Sequence, residues 1–217
     1  MTSTLGGATA DGPVGGYFWD ITNESYTRPS GGNNPVLSSL LMPDNATTKN
    51  VHVFNGTNYI STQGHSVASF YFNIWFYPTI NNVGLMSEQG GPVENTVYFY
   101  NALEIGVSGN INASVWTGTS TTTIVSSGSV TLNAWNHLYF YYINGSTQMG
   151  VSLNNATIQT TTVTRDGPVT SYFTFGANCA TYITSNARFQ GTLGDVTGSS
   201  YIAGSSYNDT KTVYGLT

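Results

Sequence analysis

The sequence predicts an all-β fold, a two-sheet antiparallel β-sandwich. Short runs rich in Val, Ile, Thr, Tyr and Phe alternate with clusters of Gly, Asn and Ser along the whole chain. No stretch shows helical periodicity over about a dozen residues, and only residues 35–42 are expected to form a turn or two of helix. The clearest strand alternates Phe70, Phe72, Ile74 and Phe76 with polar or amphipathic residues. This alternation predicts that one face of the strand is buried between two sheets.

The other elements follow from the same rule, in which β-branched and aromatic runs form strands between turn residues. Turns are expected at Asn55-Gly56, Asn144-Gly145, Asn154-Asn155 and Asp166-Gly167-Pro168. Pro78 should end the strand that contains the Phe row, because proline cannot donate to a sheet. The predicted strands are 17–21, 51–60, 67–77, 83–87, 96–100, 103–107, 111–116, 122–126, 136–143, 149–153, 156–163, 171–175 and 188–196.

Length and composition suit one domain with an uncharged surface. The 217 residues fit a single sandwich, predicted over 17–217, preceded by a flexible arm at 1–16 that is rich in Thr, Ser, Gly and Ala. Charged residues make up 7% of the chain, against roughly 25% in ordinary soluble proteins. Ser, Thr, Asn, Gln and Gly must therefore solvate the surface, which is typical of extracellular and virion proteins.

The charge distribution excludes several functions. The net charge is −5 and the five Lys and Arg residues are scattered, so no basic patch exists to bind nucleic acid.

Cys179 is the single cysteine, so no intrachain disulfide is possible, and a buried apolar role is expected for it. No run of about 18 apolar residues predicts membrane insertion. No signal peptide is visible: either a leader has been removed, or the protein leaves a cell by assembling into a particle.

Four segments resemble concanavalin A-like jelly rolls, and laminin-G-like modules in particular. They are residues 53–60 (VFNGTNYI), 70–78 (FYFNIWFYP), 135–138 (WNHL) and 189–196 (FQGTLGDV) after Phe175-Gly176. Their order is that of the family and they span about residues 50 to 197. The resemblance implies a jelly roll that binds or decorates, and that catalyses only when a carboxylate cluster has been added. One departure is Gly194, inserted before Asp195, which affects the register of the last strand.

Glycoside hydrolysis requires a pair of carboxylates, and the sequence does not predict one. In the family that these segments resemble, the glycoside hydrolases carry an E-x-D-x-x-E run on one strand. Here no two acidic residues lie two or three positions apart; the closest are Asp20 and Glu24. No nucleophile elbow is present, and structural roles are expected for His52, His65 and His137. We therefore predict no catalytic residues and no enzyme, with a glycosidase-like enzyme as the weakest alternative.

Carbohydrate and calcium sites are possible at single residues. Tyr98, Tyr100 and Trp116 are the candidates for binding sugar, although sheet packing is the commoner role of such residues. Asp166 and Asp195 are the candidates for a calcium site; no other cofactor is predicted. Seven Asn-x-Ser/Thr sequons are possible glycosylation sites, about as many as chance gives in so Asn- and Ser/Thr-rich a chain: Asn23, Asn45, Asn55, Asn112, Asn144, Asn155 and Asn208.

Two functional hypotheses follow. The first is a structural or attachment protein on a particle surface, most simply a virion decoration, turret or fibre-head protein. Its partners would be other structural proteins of the assembly, copies of itself or surface glycans, and residues 1–16 would dock onto neighbours. The alternative is a secreted or cell-surface carbohydrate-binding module. The expected location is thus a virion surface or the extracellular space.

Overall fold

Strands make up all the regular structure that the computed structural model of this chain describes. It describes residues 18–20, 36–41, 48–57, 59–61, 69–89, 99–144, 146–166, 172–177 and 187–200, and within these no helix could cross a membrane. The strands are β1 (Phe18–Asp20), β2 (Val36–Leu41), β3 (Thr48–Asn55), β4 (Ile60–Ser61), β5 (Phe70–Pro78), β6 (Val83–Gln89), β7 (Phe99–Ile105), β8 (Ile111–Trp116), β9 (Thr121–Val125), β10 (Asn136–Ile143), β11 (Gln148–Leu153), β12 (Gln159–Thr162), β13 (Tyr172–Phe175), β14 (Ala187–Arg188) and β15 (Gln190–Ser200).

The described strands form two sheets. One has the order β12-β11-β10-β5-β15-β3-β2, with β1 beside β15, and the other the order β4-β13-β6-β7-β8-β9, with β14 beside β6. All pairs are antiparallel except the short parallel pair of β14 and β6. The predicted two-sheet antiparallel β-sandwich is therefore confirmed. Strands β9 and β12 are the edges of the two sheets and approach each other on one side of the sandwich.

The core lies between the inner faces of the two sheets. The predicted Phe row of β5 is fully buried in it, which confirms the orientation expected from the alternation. Each of these side chains contributes about 1.5–3 kcal/mol through burial. The remainder of the core comes from both sheets, including Leu138, Phe140 and Tyr142 of β10 and Leu103, Ile105, Ile111, Ala113, Val115 and Phe175 of the second sheet.

The outer face of the eight-stranded sheet is aromatic. Trp75 and His137 are cross-strand neighbours whose ring centroids lie 4.8 Å apart. Tyr139 lies between Tyr71 (6.2 Å) and Tyr141 (5.8 Å). His137 is only 2% exposed, and burial lowers its pKa from 6.5 to about 4. This histidine is therefore a neutral packing residue at physiological pH.

Two local predictions were wrong. Residues 36–41, expected to be helical, form β2, because they pair in register with β3 from Val36↔Val53 to Leu41↔Thr48. Residues 99–105 form the single strand β7 where the sequence predicted a break. The turn predicted at Asn144-Gly145 lies in the β10–β11 loop, which has four residues because Ile143 pairs with Gln148; among its described residues Thr147 has a positive φ of 48°.

A β-bulge interrupts the last strand at the inserted glycine. Leu193 and Val196 pair with positions of β5 that flank Trp75, so Gly194 and Asp195 together oppose Trp75. The pairing resumes beyond the bulge and continues to Ser200, so the insertion is absorbed locally.

Candidate functional site

Two residues predicted to bind ligands, Trp116 and Asp166, are joined at one end of the sandwich, and a third, Tyr100, lies within electrostatic range of Asp166. We call Tyr100, Trp116 and Asp166 the Trp116 rim. The backbone N–H of Asp166 donates a 2.9 Å hydrogen bond to the carbonyl oxygen of Trp116, and the charge of Asp166 influences the Tyr100 hydroxyl. Trp116 and Tyr100 are half-buried, while Asp166 is exposed.

The alternation of β8 places Trp116 on the outer face of its sheet. Ala113 and Val115 point into the core, so Trp116 points outward, where it packs against Phe99 and Ala102 of β7. Phe99 and Ala102 point to the same face of the sheet, whereas two residues three positions apart in a regular strand point to opposite faces.

A β-bulge at Tyr100 explains this shared face. Gln89 pairs with Phe99 and Glu88 with Asn101, which leaves Tyr100 as the extra residue. The bulge leaves Tyr100 outside the regular ladder.

The β8–β9 turn borders the Trp116 rim with hydroxyl groups. The Thr117 hydroxyl donates to the carbonyl oxygen of Ser120 (2.9 Å) and accepts from its backbone N–H (3.1 Å). Gly118 has a φ of +91° and lies against Asp166: a methyl group added there would be 3.6 Å from the carboxyl carbon. The Asp166 carboxylate therefore lies against the turn that follows Trp116.

A buried ion pair lies beneath the Trp116 rim. The Arg165 guanidinium donates to the Glu88 carboxylate, and their side chains are 4% and 0% exposed. Asn101 also donates to Glu88, and the guanidinium carbon lies 5.4 Å from the Phe70 ring centroid and 5.0 Å from that of Tyr142. Such stacking and pairing compensate the cost of burying the charges. We call Glu88 and Arg165 the buried pair.

The surroundings of Tyr100 raise the pKa of its phenol. Burial is the main cause that raises its pKa above 10, and the negative charges of Asp166 and Glu88 raise it further, while Arg165 opposes them. At neutral pH the phenol is protonated, as for an ordinary tyrosine, and can donate a hydrogen bond, while the exposed Asp166 can accept one.

The two acidic residues proposed for calcium lie in different parts of the fold. Asp195 belongs to β15, whereas Asp166 follows β12, and β11, β10 and β5 lie between those strands. Four strand spacings amount to about 19 Å, so Asp166 and Asp195 remain two separate single-residue candidates. Within the described residues no three His, Cys, Asp or Glu side chains are grouped as metal ligands. Tyr98 and Cys179 lie outside those residues.

The sequons differ in accessibility. Asn55 and Asn144 are exposed, while Asn112 and Asn155 are half-buried. The amide of Asn112 donates to Glu104 (3.0 Å) on the outer sheet face, so that nitrogen is engaged. The other three lie outside the described residues: Asn23, Asn45 and Asn208.

The described carboxylates do not form a hydrolytic pair. Glu88 points into the core and is held by Arg165, whereas Glu104 lies on the opposite face of the same sheet. Sequence reasoning did not identify the buried pair. The sequence does contain one sign of this pair. Glu88 lies two residues after the core residue Met86, and therefore on the same face of β6. A buried carboxylate requires a cationic partner, and the chain has only five Lys and Arg residues.

Solved structures with the same fold include several carbohydrate-binding modules. The CBM40 module of a Ruminococcus gnavus sialidase, bound to α2,3-sialyllactose, matches with a TM-score of 0.55 at 16% identity, over 68% of this chain and 83% of that one. Domain 4 of AbnA, an extracellular arabinanase of Geobacillus stearothermophilus, in complex with arabinotriose, matches with 0.51 at 14% identity, over 91% and 87%. Mouse laminin α1 domains LG4-5 match with 0.50 at 16% identity, over 67% and 40%.

These likenesses identify the fold. No family model matches the chain, and no curated protein matches it either. The chain has the concanavalin A-like jelly-roll fold, so the resemblance inferred from the sequence is confirmed at that level.

Proposed function

We propose that this protein is a non-catalytic carbohydrate-binding module whose ligand binds at the Trp116 rim. The observation that carries the proposal is the half-buried Trp116, bonded through its backbone to the residue with the exposed carboxylate, next to a turn that bears hydroxyl groups, with the Tyr100 phenol in electrostatic range. A ring face contacts the apolar face of a sugar, and a carboxylate forms strong hydrogen bonds to hydroxyl groups.

Two further observations support the proposal. Carbohydrate ligands are named for two modules that share the fold, the CBM40 module and the AbnA domain. Glu88, the acidic residue beneath the Trp116 rim, is fully buried and bonded to Arg165, so it is not available for proton transfer to a bound sugar. A binding role fits this arrangement better than hydrolysis.

The experiment compares two tryptophans. Glycan-array screening is followed by calorimetric titration of wild type, Trp116→Ala and Trp135→Ala. Trp135 is also half-buried but packs against Tyr77 (5.8 Å) at the other end of the sandwich. We expect Trp116→Ala to weaken binding at least about tenfold and Trp135→Ala to preserve it. A wild type that binds no glycan, or equal affinities for wild type and Trp116→Ala, would contradict the proposal.

A second candidate function is a structural or attachment role on a particle such as a virion. It is favoured by the edges β9 and β12, which each have one neighbouring strand among the described residues. The sequence has no Lys, Arg, Asp or Glu between Glu104 and Arg165, a segment that contains both edges. Natural edge strands are commonly protected by charges, so two uncharged edges on one side favour contact with other proteins or with a second copy.

The second candidate is tested by placing a charge on an edge. Thr123 is exposed on β9, and Thr123→Lys should reduce the mass measured by light scattering relative to wild type. Ser127→Lys, exposed just beyond β9, is the control and should retain the wild-type mass. A wild-type mass of one chain at all concentrations would argue against association through these edges.

A further inference from the structure

The charges at the Trp116 rim restrict the ligands that it can bind. Asp166 is exposed there, but the adjacent Arg165 points inward, with a side chain only 4% exposed and bonded to Glu88. The buried pair is neutral as a unit. The rim therefore presents a negative charge, and among the described residues no cation is exposed beside it.

Among the described residues, the other basic side chains do not place a cation beside the Trp116 rim. Arg188 donates to the carbonyl oxygen of Thr57 and lies 5.5 Å over the Tyr59 ring. Arg188 pairs with Gly84, near the start of β6. Glu88 and Gln89 lie four and five residues further along, at the other end of that strand. Lys49 belongs to β3, separated from β12 by four strands, which is about 24 Å. Arg28 and Lys211 lie outside the described residues.

We infer that the ligand of the Trp116 rim is an uncharged oligosaccharide, and that sialylated, uronic or sulfated glycans are disfavoured. The inference rests on the proposed function. An acidic sugar stacked on Trp116 would bring its anionic group close to Asp166, with no exposed cation beside it among the described residues. Two like charges about 4 Å apart in water repel by about 1 kcal/mol, or about fivefold in affinity, and by more where water is excluded.

The rim also has what a neutral sugar requires. Asp166 accepts hydrogen bonds from hydroxyl groups, and the Tyr100 phenol, whose pKa is raised, donates one. Vicinal hydroxyls of a neutral sugar can both donate to the carboxylate and accept from the phenol. This donor and acceptor set needs no ionic partner on the ligand.

The test uses matched glycan pairs that differ by one charge. Probes are N-acetyllactosamine with and without terminal sialic acid, and galactose oligomers against galacturonic acid oligomers. We expect the neutral member that binds best to exceed its acidic counterpart at least about fivefold in 0.15 M salt. Asp166→Asn should raise the relative affinity for the acidic member.

A second carboxylate variant is the control. Glu104→Gln keeps a polar partner for Asn112, whose position on β8 is four residues, about 13 Å, from Trp116. That exceeds the Debye length of about 8 Å, so Glu104→Gln should not change the preference. Tighter binding of the acidic members, or an Asp166→Asn variant with unchanged preference, overturns the inference but leaves the proposed function. Absence of binding to either class overturns both.

Discussion

Protonation of His137 should destabilise the fold at mildly acidic pH. The side chain is 2% exposed and packs on Trp75, and its pKa in the folded state is about 4, against 6.5 for an ordinary histidine, because burial disfavours the charged form. The unfolded chain therefore binds a proton more readily. The contribution to stability is complete above pH 6.5 and is lost as the pH falls toward 4.

The magnitude follows from the two pKa values. A difference of about 2.5 units corresponds to about 3 kcal/mol of unfolding free energy, of which about 2 kcal/mol is lost by pH 5. Ordinary domains are stable by only about 5–15 kcal/mol. A loss of this size is readily measured.

The assay is urea denaturation of wild type and His137→Phe at pH 7 and pH 5. The variant keeps a ring against Trp75, and carboxylates contribute equally to both proteins. We expect wild type to lose about 2 kcal/mol more than the variant over this interval. Equal losses, or an NMR titration of the folded-state His137 ring with a midpoint near 6.5, would refute the reasoning.

Two further predictions concern packing. Glu88→Ala leaves Arg165 buried without its carboxylate and should lower the unfolding free energy by about 3–5 kcal/mol in urea denaturation; adding Arg165→Met should recover much of this, and no recovery would contradict the pairing. Gly191→Ala should cost more than Gly128→Ala in thermal unfolding, because an added Cβ at Gly191 would collide with the carbonyl oxygen of Tyr77 whereas Gly128 has open space. Equal costs would show that backbone conformation alone matters, since both glycines have positive φ.

Local alternation was sufficient to predict the central strands. The strand Ile111–Trp116 has the predicted bounds, and the Phe row beginning at Phe70 lies in the core. Both outcomes depend only on the two-residue period, which fixes the face of each side chain wherever a strand forms.

The errors arose where pairing partners decide the structure. Residues 36–41 are a short apolar run, which periodicity alone does not assign to helix or strand, and β3 provides the partner that makes them β2. In β7 the extra residue Tyr100 shifts the alternation by one position. An interrupted alternation of this kind has the same sequence pattern as two strands separated by a break, which is what the sequence predicted here.

The site was predictable as separate residues but not as an arrangement. Trp116 and Tyr100 were selected from residue type and strand position, and Asp166 from its residue type alone. Their proximity depends on the hydrogen bond from Asp166 to Trp116, between segments 50 positions apart (166 − 116). The buried pair joins residues 77 positions apart, and no local pattern indicates which of the five cations faces Glu88.

The two neighbours Arg165 and Asp166 connect the core to the Trp116 rim. Arg165 is fixed by Glu88, by two aromatic rings and by a 3.1 Å bond from its backbone N–H to the Tyr142 hydroxyl. These contacts set the path of the chain at the end of β12, so the next residue points outward beside Trp116. A buried ion pair contributes little net stability compared with apolar packing, but it fixes orientation. The buried pair therefore fixes the segment in which the Asp166 backbone bonds to Trp116, while its positive charge stays inside the core.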